Sequence, residues 1–159
     1  MDVREATEED IQAIGVVAAR AWQADYSPAI DEETIEAGVA HWYGEPVLNM
    51  ELSNPGSTVL LAEIDDEVIG FVHGSITGEV GTILRLHVLP NRQDREVERA
   101  LLKAIEGTFV DAGVTVRATV LAANEHGRSM YESRGYEQVG TEKTTIDGSQ
   151  YEEVVYERP

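Results

Sequence analysis

Apolar residues in the first third of the chain recur at helical spacing. They fall every three or four positions between Ile11 and Trp22, so residues 7–26 are predicted to form an amphipathic helix. A second helix is predicted to begin at Asp31, where a capping residue follows the breaker SPAI. Residues 47–54 fit neither a helical nor a strand period and run into the turn signal NPG.

From Ser57 onward, short apolar runs of strand length alternate with turns. The predicted strands are 2–6, 57–64, 68–77, 81–89, 114–121, 136–146 and 149–157, and the two further helices are 94–111 and 125–134. The turn DDE joins one antiparallel hairpin, and the dipeptide DG, a strong two-residue turn signal, joins the last two strands. The predicted order is β, α, α, β, β, β, α, β, α, β, β, which indicates an α/β protein.

The excess of acidic over basic residues limits the kinds of partner that the chain is expected to bind. Its 159 residues include 30 Asp and Glu against 12 Lys and Arg, a formal net charge of −18. Such a chain is expected to repel nucleic acid and anionic membranes, which both bind basic faces. Dispersed carboxylates with few lysines are typical of a salt-accumulating halophile, since ~1 M salt shortens the Debye length to about 3 Å. An acidic mesophilic protein is the alternative.

The sequence also lacks several features that carry chemistry or direct a protein to a compartment. No apolar run reaches the roughly 18–20 residues of a membrane span, and the charged start MDVREATEED is no secretory signal, so a cytoplasmic protein is expected. Without cysteine there is no disulfide, thiolate nucleophile or Cys-based zinc site. The four histidines are scattered without metal-ligand spacing, and no metal site is predicted.

Two strand-to-helix junctions, residues 84–102 and 116–136, carry the candidate chemistry. Parallel strands at this point would separate at their carboxyl ends and open a crevice. The helix that begins near Asp94 would direct its free N–H groups into that crevice, which is a favourable position for an anion. In the second junction, Asn124 is a predicted N-cap, and Tyr131 follows two turns later on the same helix face.

Carboxylates surround the start of the first of these helices. Asp94, Glu96 and Glu98 fall in its first turn, where each acidic side chain stabilises a helix by about 0.3–1 kcal/mol at an exposed site. The helix can therefore satisfy its own N-terminus without a bound anion. Three arginines stand beside them in sequence and could reach a phosphate from the rim: Arg92, Arg95 and Arg99.

In the order of its elements and in both junctions, the chain resembles the GNAT superfamily of N-acetyltransferases over essentially its whole length. The residues that carry the resemblance are Leu86, Val88, Pro90 and Gln93 in the first junction, and Asn124, Gly127, Tyr131, Gly135 and Tyr136 in the second. The resemblance implies an α/β fold of the GNAT type, with a mixed and mostly antiparallel sheet flanked by helices, in a single domain over residues 1–159.

The resemblance also implies a reaction, the transfer of an acetyl group from acetyl-CoA to an amine by direct attack in a ternary complex. Tyr131 would protonate the leaving thiolate as general acid, and a backbone donor at Val88 would stabilise the acetyl oxyanion. The implied contacts of acetyl-CoA are Leu86, His87, Val88, Gln93, Asp94, Arg95, Glu96, Val97, Glu98 and Asn124. The general base stays open between Glu79 and His87, with a packing role as the alternative for His87.

One part of the motif departs from the family. Glu96 and Glu98 occupy two positions that are small in the family, and Asp94 stands where a glycine is usual. Bulk and negative charge at these positions oppose a dianionic pyrophosphate, so acetyl-CoA binding is either retained or weakened to the point of loss. The alternative function is a non-catalytic GNAT-like domain that binds another ligand or a partner.

The sequence leaves the acceptor open. By the resemblance it is an amine on a small molecule or a peptide, and the acidic surface would suit a cationic one. The loop at about residues 26–31 is a candidate wall of the acceptor site, whereas Trp22, Tyr26 and Trp42 are expected to be core aromatics of the first two helices. A homodimer formed through the final strands is a further expectation, because such dimers are common among relatives.

Overall fold

The computed structural model of the protein describes residues 1–92 and 95–159, the side chain of Arg95 excepted. The strands are β1 (Asp2–Glu5), β2 (Ser57–Ile64), β3 (Glu67–Thr77), β4 (Val80–Val88), β5 (Thr115–Leu121), β6 (Glu137–Ile146) and β7 (Ser149–Glu157). The helices are α1 (Ile11–Tyr26), α2 (Glu32–Tyr43), α3 (Glu45–Ser53), α4 (Arg95–Asp111) and α5 (Glu125–Ser133). The predicted contacts Gln93 and Asp94 lie outside the described residues.

The described strands form one sheet in the order β1-β2-β3-β4-β5-β7-β6. Every neighbouring pair is antiparallel except β4 and β5, which run parallel because α4 connects them as a crossover. The predicted fold class, a mixed and mostly antiparallel sheet flanked by helices, is confirmed. Residues 47–53, which the apolar period left unassigned, belong to α3, and Asn54 is its C-cap. Gly44 is the N-cap of this helix, and Pro46 lies in the first turn.

Side-chain alternation along β3 shows which helices cover each face of the sheet. A Cβ atom added to Gly70 would lie 3.2 Å from Leu101 of α4, whereas the ring of the next residue, Phe71, contacts Tyr43 of α2. Successive strand residues point to opposite faces. Helix α4 therefore covers one face, together with α5, and α1 and α2 cover the other.

Small residues on the α4 face let a large side chain approach the sheet. Phe109 is fully buried, and a Cβ atom on Gly81 or Gly74 would come within 2.6 Å of its ring. Glycine at these two strand positions therefore makes room for the ring, although glycine weakens a strand interior. On the other face, Trp22 is fully buried and meets Tyr26, Trp42 and Tyr43 edge-on.

Both predicted hairpin turns are present, and both use left-handed backbone. The β2–β3 turn has positive φ at Asp65 and Asp66, and the β6–β7 turn has it at Asp147 and Gly148. Two consecutive residues with positive φ match the twist of antiparallel strands, and Asp and Gly tolerate that conformation better than other residues. Within the described residues, no helix is both long enough and apolar enough to cross a membrane.

Candidate functional site

A crevice lies where the parallel strands β4 and β5 separate. They pair only between Val80–Ile83 on β4 and Thr115–Ala118 on β5. Just beyond the last pair, Leu84 is an extra residue in the register with β3 and forms a β-bulge, which bends the strand. The continuation of β5 stays paired with β7 on its far side. The edge of β4 that β5 no longer covers faces the crevice, as the two junctions predicted.

The narrow part of the crevice is built from both sides of the sheet. Its volume is about 30 Å³. The residues that matter most for its chemistry are Tyr26, Arg85, His87, Asn124, Tyr131 and Glu153. They come from α1, β4, the N-cap and body of α5, and β7, so only the tertiary fold brings them together.

The side chains of the last residues of β4 point alternately towards two openings of the crevice, the α4–α5 mouth and the α1–α2 mouth. Leu86 and Val88 lie beside Asn124 and Met130 at the mouth between α4 and α5. His87 points the other way, and its ring centroid lies 6.2 Å from that of Tyr26 on α1. The α4–α5 mouth thus contains the predicted acetyl-CoA contacts Leu86, Val88 and Asn124, whereas the predicted contact His87 faces the α1–α2 mouth.

Tyr131 reaches the crevice from α5 and is almost completely buried, with 3% of its surface exposed. Its ring packs 5.1 Å from Tyr136 and 6.0 Å from Tyr156, measured between centroids. Burial, reinforced by the charges of Glu106 and Glu98, raises the pKa of Tyr131 well above its usual value. The phenol therefore keeps its proton at neutral pH, which is the form that a general acid needs. Its catalytic role stays a prediction.

Asn124 begins α5 as its N-cap. Its Oδ1 accepts a hydrogen bond of 2.9 Å from the backbone N–H of Gly127, so the predicted capping role is confirmed. The side chain is buried and also lines both the narrow crevice and its α4–α5 mouth. A Cβ atom on Gly127 would lie only 2.7 Å from Nδ2 of Asn124, which explains the glycine. Contact with acetyl-CoA stays a prediction for Asn124.

The carboxylates at the start of α4 have separate surroundings. Glu96 is exposed, and the side chain of Val97 is buried in the core, so Val97 can meet a ligand only through its backbone. Glu98 turns towards α5, where its Oε1 lies 2.7 Å from Nε2 of His126. This hydrogen bond raises the pKa of His126, against the effect of its partial burial. When His126 is protonated, its imidazolium partly neutralises the buried carboxylate.

His126 was missed by reasoning from the sequence. Its spacing matches no metal motif, and only the packing of α5 against α4 brings it to Glu98, 28 positions away. No group of three or more potential metal-ligating side chains exists among residues 1–92 and 95–159. A surface groove of about 610 Å³ runs beside this pair between α4 and α5, and Arg99, Ser129 and Arg134 line it.

The structure argues against both candidate general bases, Glu79 and His87, for different reasons. Glu79 is excluded as the base, because it lies beside the end of β4 that is paired with β5, far from the crevice. Its backbone carbonyl accepts a hydrogen bond from the Thr115 N–H there. At roughly 3.3 Å per residue, it lies about 20 Å along β4 from the crevice. His87 lines the crevice, but burial and the charge of Arg85 lower its pKa to about 3. So weak a base accepts a proton from an alkylammonium only at high cost, so His87 is a poor candidate for the general base.

Glu153 on β7 is a second residue that the sequence reasoning missed. It is half-buried in the narrow crevice beside Arg85 and Tyr26, and burial raises its pKa. The available signal was the alternation in YEEVVYE, because Glu153 shares a strand face with the apolar Val155 rather than with its exposed neighbour Glu152. Arg85 itself stacks on Trp42, with its guanidinium carbon 4.1 Å from the ring centroid.

Similarity to known proteins extends over the same elements. A model of the acetyltransferase (GNAT) family matches residues 16–136, well over half of the chain. The chain is also 27% identical over 156 residues to spermidine N(1)-acetyltransferase from Thermoplasma acidophilum, an alignment that covers 95% of this chain and 94% of that protein.

Solved structures show the same architecture. The crystal structure of PaiA N-acetyltransferase from Thermoplasma acidophilum in complex with coenzyme A is similar with a TM-score of 0.84 and 26% identity, over 99% of this chain and 98% of that one. A GCN5-related N-acetyltransferase from Rhodopseudomonas palustris has a TM-score of 0.82 at 22% identity, over 99% and 94%. The second similarity supports the fold alone.

Proposed function

The chain belongs to the acetyltransferase (GNAT) family, and we propose that its acceptor is a small amine that carries positive charge. As a member of the family, it is an N-acetyltransferase that uses acetyl-CoA as acetyl donor. The observation that carries the proposal is the half-buried carboxylate of Glu153, which lines the narrow crevice together with Tyr26 and Arg85. The predicted acetyl-CoA contacts Leu86, Val88 and Asn124 line the α4–α5 mouth, so the donor and the amine are proposed to enter from different sides.

The relative from Thermoplasma acidophilum supports a cationic acceptor, because its name gives spermidine as substrate. Spermidine is a flexible chain of amines, protonated near neutral pH, and a carboxylate in a partly dry site attracts such a charge more strongly than one in water. Aromatic surface from Tyr26 and Trp42 lines the same crevice and suits the methylene groups of a polyamine. A peptide amine is the competing acceptor.

The proposed roles follow from where each residue lies. Backbone groups of Leu86 and Val88 on the uncovered edge of β4 hold the pantetheine arm, and the Val88 backbone stabilises the oxyanion. Asn124 lines the channel in which the pantetheine arm is proposed to lie. Tyr131 donates its proton to the sulfur as the carbon–sulfur bond breaks.

The altered loop at α4 is proposed to bind acetyl-CoA in spite of its carboxylates. Glu98 is turned towards His126, and the protonated imidazole partly neutralises it, so in that state its charge does not stand alone before a diphosphate. Arg99 and Arg134 line the adjoining groove, and Arg99 supplies positive charge for phosphates, whereas Arg134 also contacts the carboxylate of Glu106. Binding is therefore expected to be weaker than with small residues at these positions, but to persist.

The test is acetyl-CoA-dependent release of thiol in the presence of spermidine, 1,4-diaminobutane, butylamine or a peptide with a free N-terminus, at molar KCl. The Tyr131→Phe variant keeps the packing of the ring and loses the proton. Its kcat is expected to fall about 10²–10⁴-fold, with the calorimetric Kd of acetyl-CoA unchanged. A wild type that binds acetyl-CoA but acetylates none of these amines would support the non-catalytic alternative.

The acidic surface is proposed to be an adaptation to high salt. With a net charge of −18, self-repulsion destabilises the compact state in dilute buffer, and salt at ~1 M screens it. This account also predicts that the assay above gives its highest activity at high ionic strength.

A further inference from the structure

Within the proposed amine acetyltransferase, on which this inference rests, we propose that Glu153 is the general base. It holds the acceptor nitrogen at the inner end of the crevice and removes its proton. Glu142, directly opposite on β6, binds a second positive charge of the same acceptor. Glu153 would thus be a catalytic residue, and the pair would select diamines and polyamines over monoamines.

The position of Glu153 places its carboxylate near the reacting atoms. It pairs with Leu121 on β5, three residues beyond Ala118, where β5 has already separated from β4. Its side chain lines the same narrow space as Tyr131. That space is narrow, with a volume of about 30 Å³. A reacting centre held there lies close to both the base and the proposed acid.

Two like charges face each other beside the crevice. Glu142 and Glu153 are register partners across β6 and β7, so their Cβ atoms lie about 4.5–5.5 Å apart, an arrangement that destabilises a sheet. The next pair, Lys143 opposite Glu152, has opposite charges and lies on the other face. Neither Glu142 nor Glu153 forms an ion pair with any residue that the structure describes. A diammonium ligand would relieve this repulsion.

A buried histidine supplies an independent indication of a ligand in the crevice. His87 is 3% exposed and lines the same space, and neither ring nitrogen bonds to another described residue. A buried polar group without a partner is unfavourable, because it has lost its hydrogen bonds to water. Because the imidazole stays neutral, one ring nitrogen can accept a hydrogen bond from the N–H of an acceptor held by Glu153.

The charges around Glu153 favour its role as base. Burial raises its pKa, and the carboxylate of Glu142 raises it further, whereas Arg85 on β4 opposes both. Tyr26 on α1 and Tyr131 on α5 face the same space as neutral phenols, since burial raises the pKa of each. A carboxylate with a raised pKa is a stronger base and is closer to the pKa of the amine that it deprotonates.

The proton balance of the reaction uses both residues. The alkylammonium loses one proton to Glu153, and the neutral nitrogen then attacks the thioester carbon to form the carbon–nitrogen bond. As the carbon–sulfur bond breaks, Tyr131 gives its proton to the sulfur and recovers the remaining extra proton from nitrogen. Glu153 returns its proton to solvent. The products are the N-acetyl amine, coenzyme A as thiol and one released proton.

The experiment compares the variants Glu153→Gln, Glu142→Gln and Glu152→Gln on 1,4-diaminobutane and butylamine, two substrates of equal chain length. For Glu153→Gln, kcat should fall about 10²-fold or more on both, the acidic limb of the kcat/KM profile should disappear, and the Kd of acetyl-CoA should stay within twofold (about 0.4 kcal/mol). For Glu142→Gln, KM should rise about tenfold (about 1.4 kcal/mol) for the diamine alone. Glu152→Gln, on the opposite face of the sheet, should change neither kcat nor KM for either amine.

Retention of kcat in Glu153→Gln, or an equal rise of KM for both amines in Glu142→Gln, would overturn the inference. If the wild type acetylates other amines well but shows no preference for the diamine, the proposed function stands and the role of Glu142 fails. If the wild type binds acetyl-CoA and acetylates nothing, the proposed function fails together with the role of Glu153 as base. Calorimetry with 1,4-diaminobutane then decides whether the two carboxylates bind a diamine at all, since Glu142→Gln must weaken that binding.

Discussion

The contact between Glu98 and His126 links the stability of the protein to the proposed acetyl-CoA site, and it is removed by His126→Ala. Glu98 has 8% of its side chain exposed, whereas His126 has 51% exposed. The variant leaves a buried carboxylate without its partner. Because His41 is an exposed histidine on α2, His41→Ala is a matched control for the loss of an imidazole.

The expected loss of stability is modest and depends on pH. A hydrogen bond to a charged group contributes about 1.5–3 kcal/mol, but solvent around the half-exposed imidazole reduces this to about 1 kcal/mol. The folded-state pKa of His126 is raised above the unfolded value of about 6.5. The stabilisation is therefore fully present below pH 6.5 and is lost as pH rises through the folded-state pKa.

Urea unfolding at constant KCl, followed by the fluorescence of the buried Trp22, measures this difference. The wild type should exceed His126→Ala by about 1 kcal/mol at pH 6 and by much less at pH 9, while His41→Ala should match the wild type at both. The same difference at both pH values would show that the imidazole acts by packing and would refute the ion-pair reasoning.

The same pair should control the affinity for acetyl-CoA. Without the imidazolium, the charge of Glu98 faces the diphosphate alone, so His126→Ala should weaken binding several-fold, and Glu98→Gln should strengthen it. Calorimetry at molar KCl measures both. Weaker binding in Glu98→Gln would mean that the carboxylate belongs to a working site.

The remaining predictions concern packing, a buried hydrogen bond and salt. Gly81→Ala should destabilise the protein by about 1–3 kcal/mol in urea, because the new Cβ would lie 2.6 Å from the buried ring of Phe109; an unchanged midpoint would show that the ring moves freely. Tyr136→Phe removes a hydroxyl that donates a 2.6 Å hydrogen bond to the buried Glu106, and a loss of about 1–2 kcal/mol is expected, whereas no loss would mean that Arg134 and Arg158 satisfy this carboxylate by themselves. The thermal midpoint should rise steadily from 0.1 to 2 M KCl, since the net charge is −18; a midpoint independent of KCl would contradict the proposed adaptation to salt.

Local patterns were sufficient for most of the fold. Apolar periods predicted every strand and every α-helix except α3, whose sequence EPVLNMELS has too weak an apolar face to be recognised. Turn residues placed both hairpins, because Asp and Gly accept positive φ. The crevice was also predictable, since parallel strands joined by a crossover helix separate at their carboxyl ends.

Glu79 was one of two candidate bases, and the sequence alone was sufficient to exclude it. Glu79 precedes β4, and a site at the carboxyl end of that strand lies about 20 Å away. By contrast, the pairing of Glu98 with His126 could not be read from the chain. It depends on the packing of α5 against α4, which brings together residues 28 positions apart.

The sequence by itself determined the strands, the α-helices other than α3, their order and the two junctions, because periodicity, capping and turn preference act over a few residues. It also indicated the reaction, acetyl transfer to an amine, through the motif around Asn124 and Tyr131. Only the tertiary structure decided which charges meet: Glu98 with His126, and Glu153 with Glu142 beside the crevice. Electrostatic effects depend on distance and burial in three dimensions, and neither is a property of sequence spacing.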